Sequence, residues 1–301
     1  MNGKTTGWPS TGFRVNSRER FKEMQLGIFA KTFARASVEE TFAAVASLGL
    51  HCVQFNFACA GLPSLPDEID PALLQRIRRA AAARGIAIAA VSATFNMIHP
   101  DAQQRGEGVR CLGVVAESCA ILGAKTATLC TGTRDPENMW RWHPDNNSLA
   151  AWRDLLATLA EAVALAEKHG VSLGVEPETG NVINSARKAR QLLDELKSPR
   201  LKIIMDAANL FHPGDLPRQR EIIDEAFALL GGDIALAHAK QLGTDGHAGN
   251  LALGTGVLDW RHYLASLRRA NFAGPLIMHG FEEAAAAASV DFLRRQLSNS
   301  N

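Results

Sequence analysis

Four polar residues each stop a short apolar run: Glu176 in LGVEPETGN, Asp206 in IIMDAANLF, His238 in ALAHAKQ and His279 in LIMHGF. Two carboxylates and two imidazoles make a hard-to-borderline donor set that suits Mn²⁺, Zn²⁺ or Mg²⁺ and does not suit a thiolate-preferring metal. Taken singly, each has a plainer role. Asp206 would serve as a turn residue in DAAN, and a lone histidine would pass as a satisfied core residue. An ionised carboxylate at a buried strand end is nonetheless unfavourable without a partner, and Pro177 and a loop follow Glu176. Together the four read as ligands of one divalent cation, with Glu282 or Glu283 able to reach the site in place of His279. Strand alternation puts Lys240 on the same side as His238, where an ammonium would bind a substrate oxygen or stabilise an enolate.

These side chains meet only if the chain gathers the ends of its strands. Eight apolar runs alternate with helical patterns: residues 24–30, 51–57, 86–95, 126–132, 171–177, 201–207, 233–241 and 275–279 read as strands. Helix signals follow each. Ser37 with Glu40 makes a capping box, Asp70 and Pro71 open the second helix and Gly85 closes it, and Gly123 and Gly170 end helices over 104–122 and 147–169. Further helices are expected in SARKARQLLDEL, near 217–230, in DWRHYLASLRRA behind an Asp259 cap, and in EEAAAAASVDFLRRQL. Strands this uniformly apolar are covered on both faces, so the alternation predicts an α/β chain with a parallel sheet. Eight units fit a single closed (β/α)8 TIM barrel over 24–301, behind a short flexible N-terminal leader over 1–23. No GxGxxG follows the first strand, which argues against a dinucleotide fold. In a barrel the strand ends share one mouth, and the four candidate ligands come from the last four strands.

Composition narrows the partner. With 32 Lys+Arg against 31 Asp+Glu the net charge is +1, too little for a general nucleic-acid or membrane field. A small molecule is the expected partner. Five cysteines without a CxxC pair suit reduced thiols in a cytoplasmic protein, and no apolar run is long enough to span a membrane.

On the motifs GVEPE, IIMDAANL, AHAKQ and LGTGVLDW, the chain from about residue 24 to 297 resembles the sugar isomerase/epimerase superfamily of xylose-isomerase-like TIM barrels. That superfamily includes the D-tagatose 3-epimerase-like enzymes and, more remotely, the apurinic endonucleases. The resemblance implies one divalent metal, Mn²⁺ before Zn²⁺ or Mg²⁺, held by a Glu, an Asp, a His and a second Glu at the ends of strands five to eight. Glu176, Asp206 and His238 match the first three, whereas His279 stands where the family has its second Glu. Asn209 stands where the epimerases often have a substrate-contacting His.

In the epimerases the two glutamates move protons on opposite faces of the sugar while the metal polarises its oxygens. A metal-bound imidazole cannot replace the second base, because its lone pair is already donated. Glu176 is then expected as a single catalytic base, with Lys240, Glu178 or His143 as the complementary acid. The implied activity is isomerisation or epimerisation of a sugar, related polyol or keto acid through proton abstraction beside a carbonyl and an enediolate. A lyase or dehydratase on keto-sugars and a non-catalytic paralogue are the alternatives, and the neutral charge argues against an endonuclease. Expected substrate contacts are Asn56 after strand two, Asn96 and His99 after strand three, His143 in the loop after strand four, Glu178 and Asn209. Trp140 and Trp142 in that long loop would stack on a sugar, plug the mouth or meet a second subunit in a homo-oligomer.

Overall fold

The apolar runs become strands because their β-branched and aliphatic residues are buried on both sides, and the helices between them begin at side-chain caps. In the computed structural model, which describes residues 24–212 and 214–298, eight parallel strands close into a barrel in the order β1 to β8. They are β1 (Gln25–Phe29), β2 (Cys52–Phe55), β3 (Ala87–Ser92), β4 (Thr126–Leu129), β5 (Ser172–Val175), β6 (Leu201–Asp206), β7 (Ile234–Ala239) and β8 (Pro275–Met278). Eight helices alternate with them: α1 (Val38–Ser47), α2 (Pro71–Ala83), α3 (Ala102–Leu122), α4 (Leu149–His169), α5 (Ala186–Leu196), α6 (Gln219–Leu230), α7 (Trp260–Arg269) and α8 (Ala286–Ser298). The expected leader over 1–23 lies outside the described residues. No helix among the described residues is long and apolar enough to cross a membrane.

Capping sets the helix starts. Ser37, Asp70, Ser148, Ser185 and Asp259 each accept a backbone N–H of the first helical turn, and Glu40 reaches back to Ala36 N at 3.2 Å. Among the helices that start later than the sequence suggests are α4 and α8. Pro144–Asn147 forms a 3₁₀ turn before Ser148 caps α4, and Glu283–Ala285 forms another before α8.

Period-two alternation builds the barrel interior in layers. Cys52, Ala90, Ile204, Leu236 and Ile277 form one buried apolar cluster. Two residues further along the same strands come Gln54, Ser92, Asp206, His238 and His279, so the apolar layer carries a polar one towards the strand ends. The larger cluster, including Phe42, Phe55, Leu112, Leu155, Ile203 and Tyr263, packs the helices against the outer face. Asp206 and His238 are register partners between β6 and β7, and Ile277 of β8 pairs with His238, which brings the next residue pair of β8 beside them.

Candidate metal centre and active site

Glu176, Asp206, His238 and His279 each offer one ligand atom, and these four atoms all lie within 4.8 Å of one another. His238 Nδ1 is 3.2 Å from Glu176 Oε1 and 3.9 Å from Asp206 Oδ2, and His279 Nε2 is 3.2 Å from Asp206 Oδ2. The two imidazoles are neighbours, with ring centroids 4.3 Å apart. Asp206 is held by its own turn. Its Oδ1 accepts the Ala208 N–H at 3.0 Å at the start of a short 3₁₀ helix, which leaves Oδ2 for the cluster.

The donor set fits a divalent cation. Two nitrogen and two carboxylate donors converge at coordination-site spacing, and His238 Nδ1 is a fully buried polar atom that makes no hydrogen bond. Of the expected ligands, the four named in the sequence come together. Glu283 instead pairs with Arg35 at the surface, and Glu282 is exposed, so neither completes the cluster.

Charge in the site is unevenly balanced. Burial pushes the Asp206 carboxyl up, but the Lys240 ammonium at 3.3 Å and the two imidazoles outweigh it and hold it well below the usual carboxylate range. Burial likewise raises Glu176, and His238 outweighs that, leaving it lowered. For Glu178 the Lys240 charge is too weak to compensate: burial and then the charge of Glu176 push it up to about 8, so it holds a proton at neutral pH. Burial disfavours the Lys240 ammonium, yet Asp206, Glu176 and Glu178 together keep it raised and charged. Burial and the field of His238 hold His279 down to about 4, so its ring is neutral. Glu176 is therefore a carboxylate able to accept a proton, and Glu178 a carboxylic acid able to give one.

A set of supporting contacts was not legible from the strand ends. Asn209 Nδ2 donates to Glu176 Oε1 at 2.7 Å, so the residue expected to touch substrate also holds the Glu176 carboxylate. Gln54 Oε1 lies 2.9 Å from His238 Nε2. From outside the barrel, the Tyr263 hydroxyl of α7 lies 2.8 Å from the Met205 carbonyl and 2.9 Å from that of His238, bracing the ends of β6 and β7. Gly280 takes φ +76°, and a Cβ there would stand 2.9 Å from the Lys240 stem, so only glycine lets the chain turn beside that lysine.

The candidate side chains after the earlier strands each make hydrogen bonds to backbone. Asn56 spends its Oδ1 on the Ala58 N–H. Asn96 accepts the Thr133 N–H and donates to the Thr133 carbonyl, clamping the loop after β4. His99 takes the Asp101 N–H on Nδ1 and faces the Pro136 carbonyl with Nε2, and His143 takes the Asp145 N–H. These four side chains hold turns and the loop after β4, and His99 and His143 are not among the clustered ligands. Trp140 and Trp142 are about half exposed, at 50% and 48%, so they do not plug the mouth. The long loop is fastened by residues the sequence did not single out. Asn181 Oδ1 takes the N–H groups of Thr131 and Gly132, and Asn146 Oδ1 takes the Arg134 N–H. Cys130 is buried with its thiol pushed well up by desolvation, a core residue rather than a nucleophile.

Comparison with known proteins bears on the fold. A family model described as the xylose isomerase-like TIM barrel matches residues 42–296. No curated protein matches the chain in sequence. Among solved structures, a 3-keto-D-glucoside 4-epimerase from E. coli is similar with a TM-score of 0.71 at 17% identity, covering 92% of this chain and 100% of its own. An L-ribulose 3-epimerase superposes with a TM-score of 0.72 at 18% identity over 92% of this chain and 95% of its own. The IolI protein, solved with a bound zinc atom, gives 0.71 at 15% identity over 92% and 98%.

Proposed function

Because the chain belongs to the xylose isomerase-like TIM barrel family, we propose that it is a divalent-metal-dependent isomerase or epimerase of a sugar, or of a related polyol or keto acid. The observation that carries this reading is the convergence of Glu176, Asp206, His238 and His279 around the unpartnered His238 Nδ1. Epimerases among the similar structures support the substrate class, and the zinc in one of them supports a metal.

The residues divide the work. Glu176, oriented by Asn209, would take the proton from the carbon next to a carbonyl, and that C–H electron pair would pass to the carbonyl oxygen as an enediolate. A bound divalent cation, Mn²⁺ in the first instance and Zn²⁺ or Mg²⁺ otherwise, would polarise that carbonyl. Lys240 adds a fixed positive charge beside Asp206, and protonated Glu178 is the group able to return a proton. The buried site excludes bulk water from these groups, which strengthens each electrostatic contribution.

One observation favours a second reading on the same site. With His279 in place of a second glutamate and a protonated Glu178 nearby, the acid could protonate a leaving group instead of the opposite carbon, which is lyase chemistry. Proton exchange distinguishes them. Protein loaded with Mn²⁺ or Zn²⁺ is incubated in D₂O with a panel of ketoses, keto-glycosides and keto acids. Deuterium at the carbon beside the carbonyl with one product supports isomerisation or epimerisation, release of a second product supports elimination, and metal-free, inert protein would leave a non-catalytic paralogue. The five free cysteines support a cytoplasmic location, and exposed Trp140 and Trp142 offer a surface for a second copy of the chain.

A further inference from the structure

We propose that Gln54 is a positioning residue that dictates which nitrogen of His238 faces the cation site. The proposal rests on the reading of Glu176, Asp206, His238 and His279 as that site. Gln54 lies on β2 and His238 on β7, so their contact crosses the barrel interior. The Gln54 amide nitrogen donates to Ser92 Oγ on β3 at 3.1 Å and to Thr128 Oγ1 on β4 at 3.3 Å. All three residues are buried, at 5%, 2% and 3% exposure. With its nitrogen so engaged, the amide turns its oxygen to His238 Nε2, 2.9 Å away.

That oxygen only accepts, so Nε2 must carry the hydrogen. The charged ring that lowers Glu176 carries a hydrogen on both nitrogens, whereas the neutral ring that a cation binds has one N–H, and its lone pair is therefore left on Nδ1. Nδ1 is the atom that is buried, makes no hydrogen bond, and stands 3.2 Å from Glu176 Oε1 and 3.9 Å from Asp206 Oδ2. The Ser92–Gln54–His238 chain thus aims a lone pair between the two carboxylates. Metal-binding histidines are commonly oriented by a partner on the far nitrogen, and that partner is often a carboxylate. Here the partner is neutral. A carboxylate at position 54 would add a third negative charge to a buried layer that already holds Glu176 and Asp206.

Two measurements test this, and neither needs turnover. The first is the ¹⁵N spectrum of histidine-labelled, metal-free protein above the ordinary imidazole titration range, with His238 assigned by its loss in His238→Gln. The Nε2–H tautomer is expected for the wild type, and a dominant Nδ1–H tautomer overturns the proposal. The second is Zn²⁺ affinity by competition with a chromophoric chelator. Gln54→Met, which keeps the volume and removes the acceptor, is expected to weaken binding about 10- to 100-fold, while Gln54→Glu keeps most of the affinity. Unchanged affinity in Gln54→Met overturns the proposal. Should Gln54→Met fail to fold, Ser92→Ala takes its place, since it loosens the amide without emptying the core, and is expected to weaken Zn²⁺ in the same direction. A wild type that binds no Zn²⁺ would sink the cation site itself, an outcome the tautomer measurement does not share.

Discussion

The carboxamide nitrogen of Asn209 stands 2.7 Å from Glu176 Oε1 and donates to it, although the two residues lie 33 positions apart and both are buried. A hydrogen bond to one oxygen fixes the carboxylate plane and stabilises its charged form.

Replacing that donor by an acceptor should invert the effect. In Asn209→Asp two carboxylates would share a hydrogen-bond distance, and one must hold a proton at neutral pH. Solvent deuterium exchange into the substrate is expected to fall about 10- to 100-fold, because the proposed base is partly protonated or displaced. The far-ultraviolet circular dichroism should be unchanged. Wild-type exchange rates in Asn209→Asp would remove Asn209 from the account of Glu176.

Glu176→Gln is the direct test of the base. The amide retains the shape of the side chain and can still face Asn209, but it has no proton affinity at working pH. Exchange should drop about 10²- to 10⁴-fold in metal-loaded protein. Metal analysis on the same sample should show weaker retention of the ion, since a charged ligand is lost.

Glu178 gives the metal-free fold a pH dependence with a defined sign. Its folded value is raised from the ordinary carboxylate range to about 8, by burial first and by Glu176 next. A raised folded value means that the folded state binds more protons between the two values, so its contribution to stability is complete below about 4.5 and is lost as pH rises through about 8. Glu178→Gln, permanently neutral, should lack that loss. Urea unfolding at pH 5 and pH 9 is expected to show wild type losing about 3 kcal/mol more than the variant between the two. Parallel pH profiles for the two proteins would contradict it.

Tyr263→Phe isolates the brace behind the site. Removing one hydroxyl leaves the buried carbonyls of Met205 and His238 without that donor, at an expected loss of about 1–3 kcal/mol in unfolding free energy. Thermal unfolding of the metal-free protein reads it, and an unshifted midpoint would assign those carbonyls enough other partners.

His279→Glu places at the fourth position the carboxylate that the resemblance to the epimerases implies there. An oxygen donor in place of an imidazole should move relative affinity away from Zn²⁺ and towards Mn²⁺ and Mg²⁺. Competition between Zn²⁺ and Mn²⁺ for wild type and variant measures the shift, and an unchanged ratio would mean that His279 does not ligate.

Much of this was legible in the chain, because the relevant signals are local. A Ser, Asp or Gly at the right place fixes the end of a helix whatever surrounds it, and Ser37, Asp70, Gly123 and Gly170 act as their positions suggest. The polar residues that stop apolar runs were equally visible, and Glu176, Asp206, His238 and His279 do converge. Asn96 and His99 show the limit of that reasoning. Polar residues after a strand look alike in sequence, and only the structure shows that these two hydrogen-bond Thr133 and Asp101.

What the sequence determined by itself was the alternation of eight apolar runs with capped helices, and hence the order of elements and the polar residue at each strand end. Only the closed barrel decided which of those residues meet. Gln54 and His238 are 184 positions apart and on opposite sides of the strand order, and nothing near either residue signals the other. Periodicity tells which face of a strand a side chain occupies. The distance between two such side chains is set by strand register and curvature, which are properties of the packed sheet as a whole.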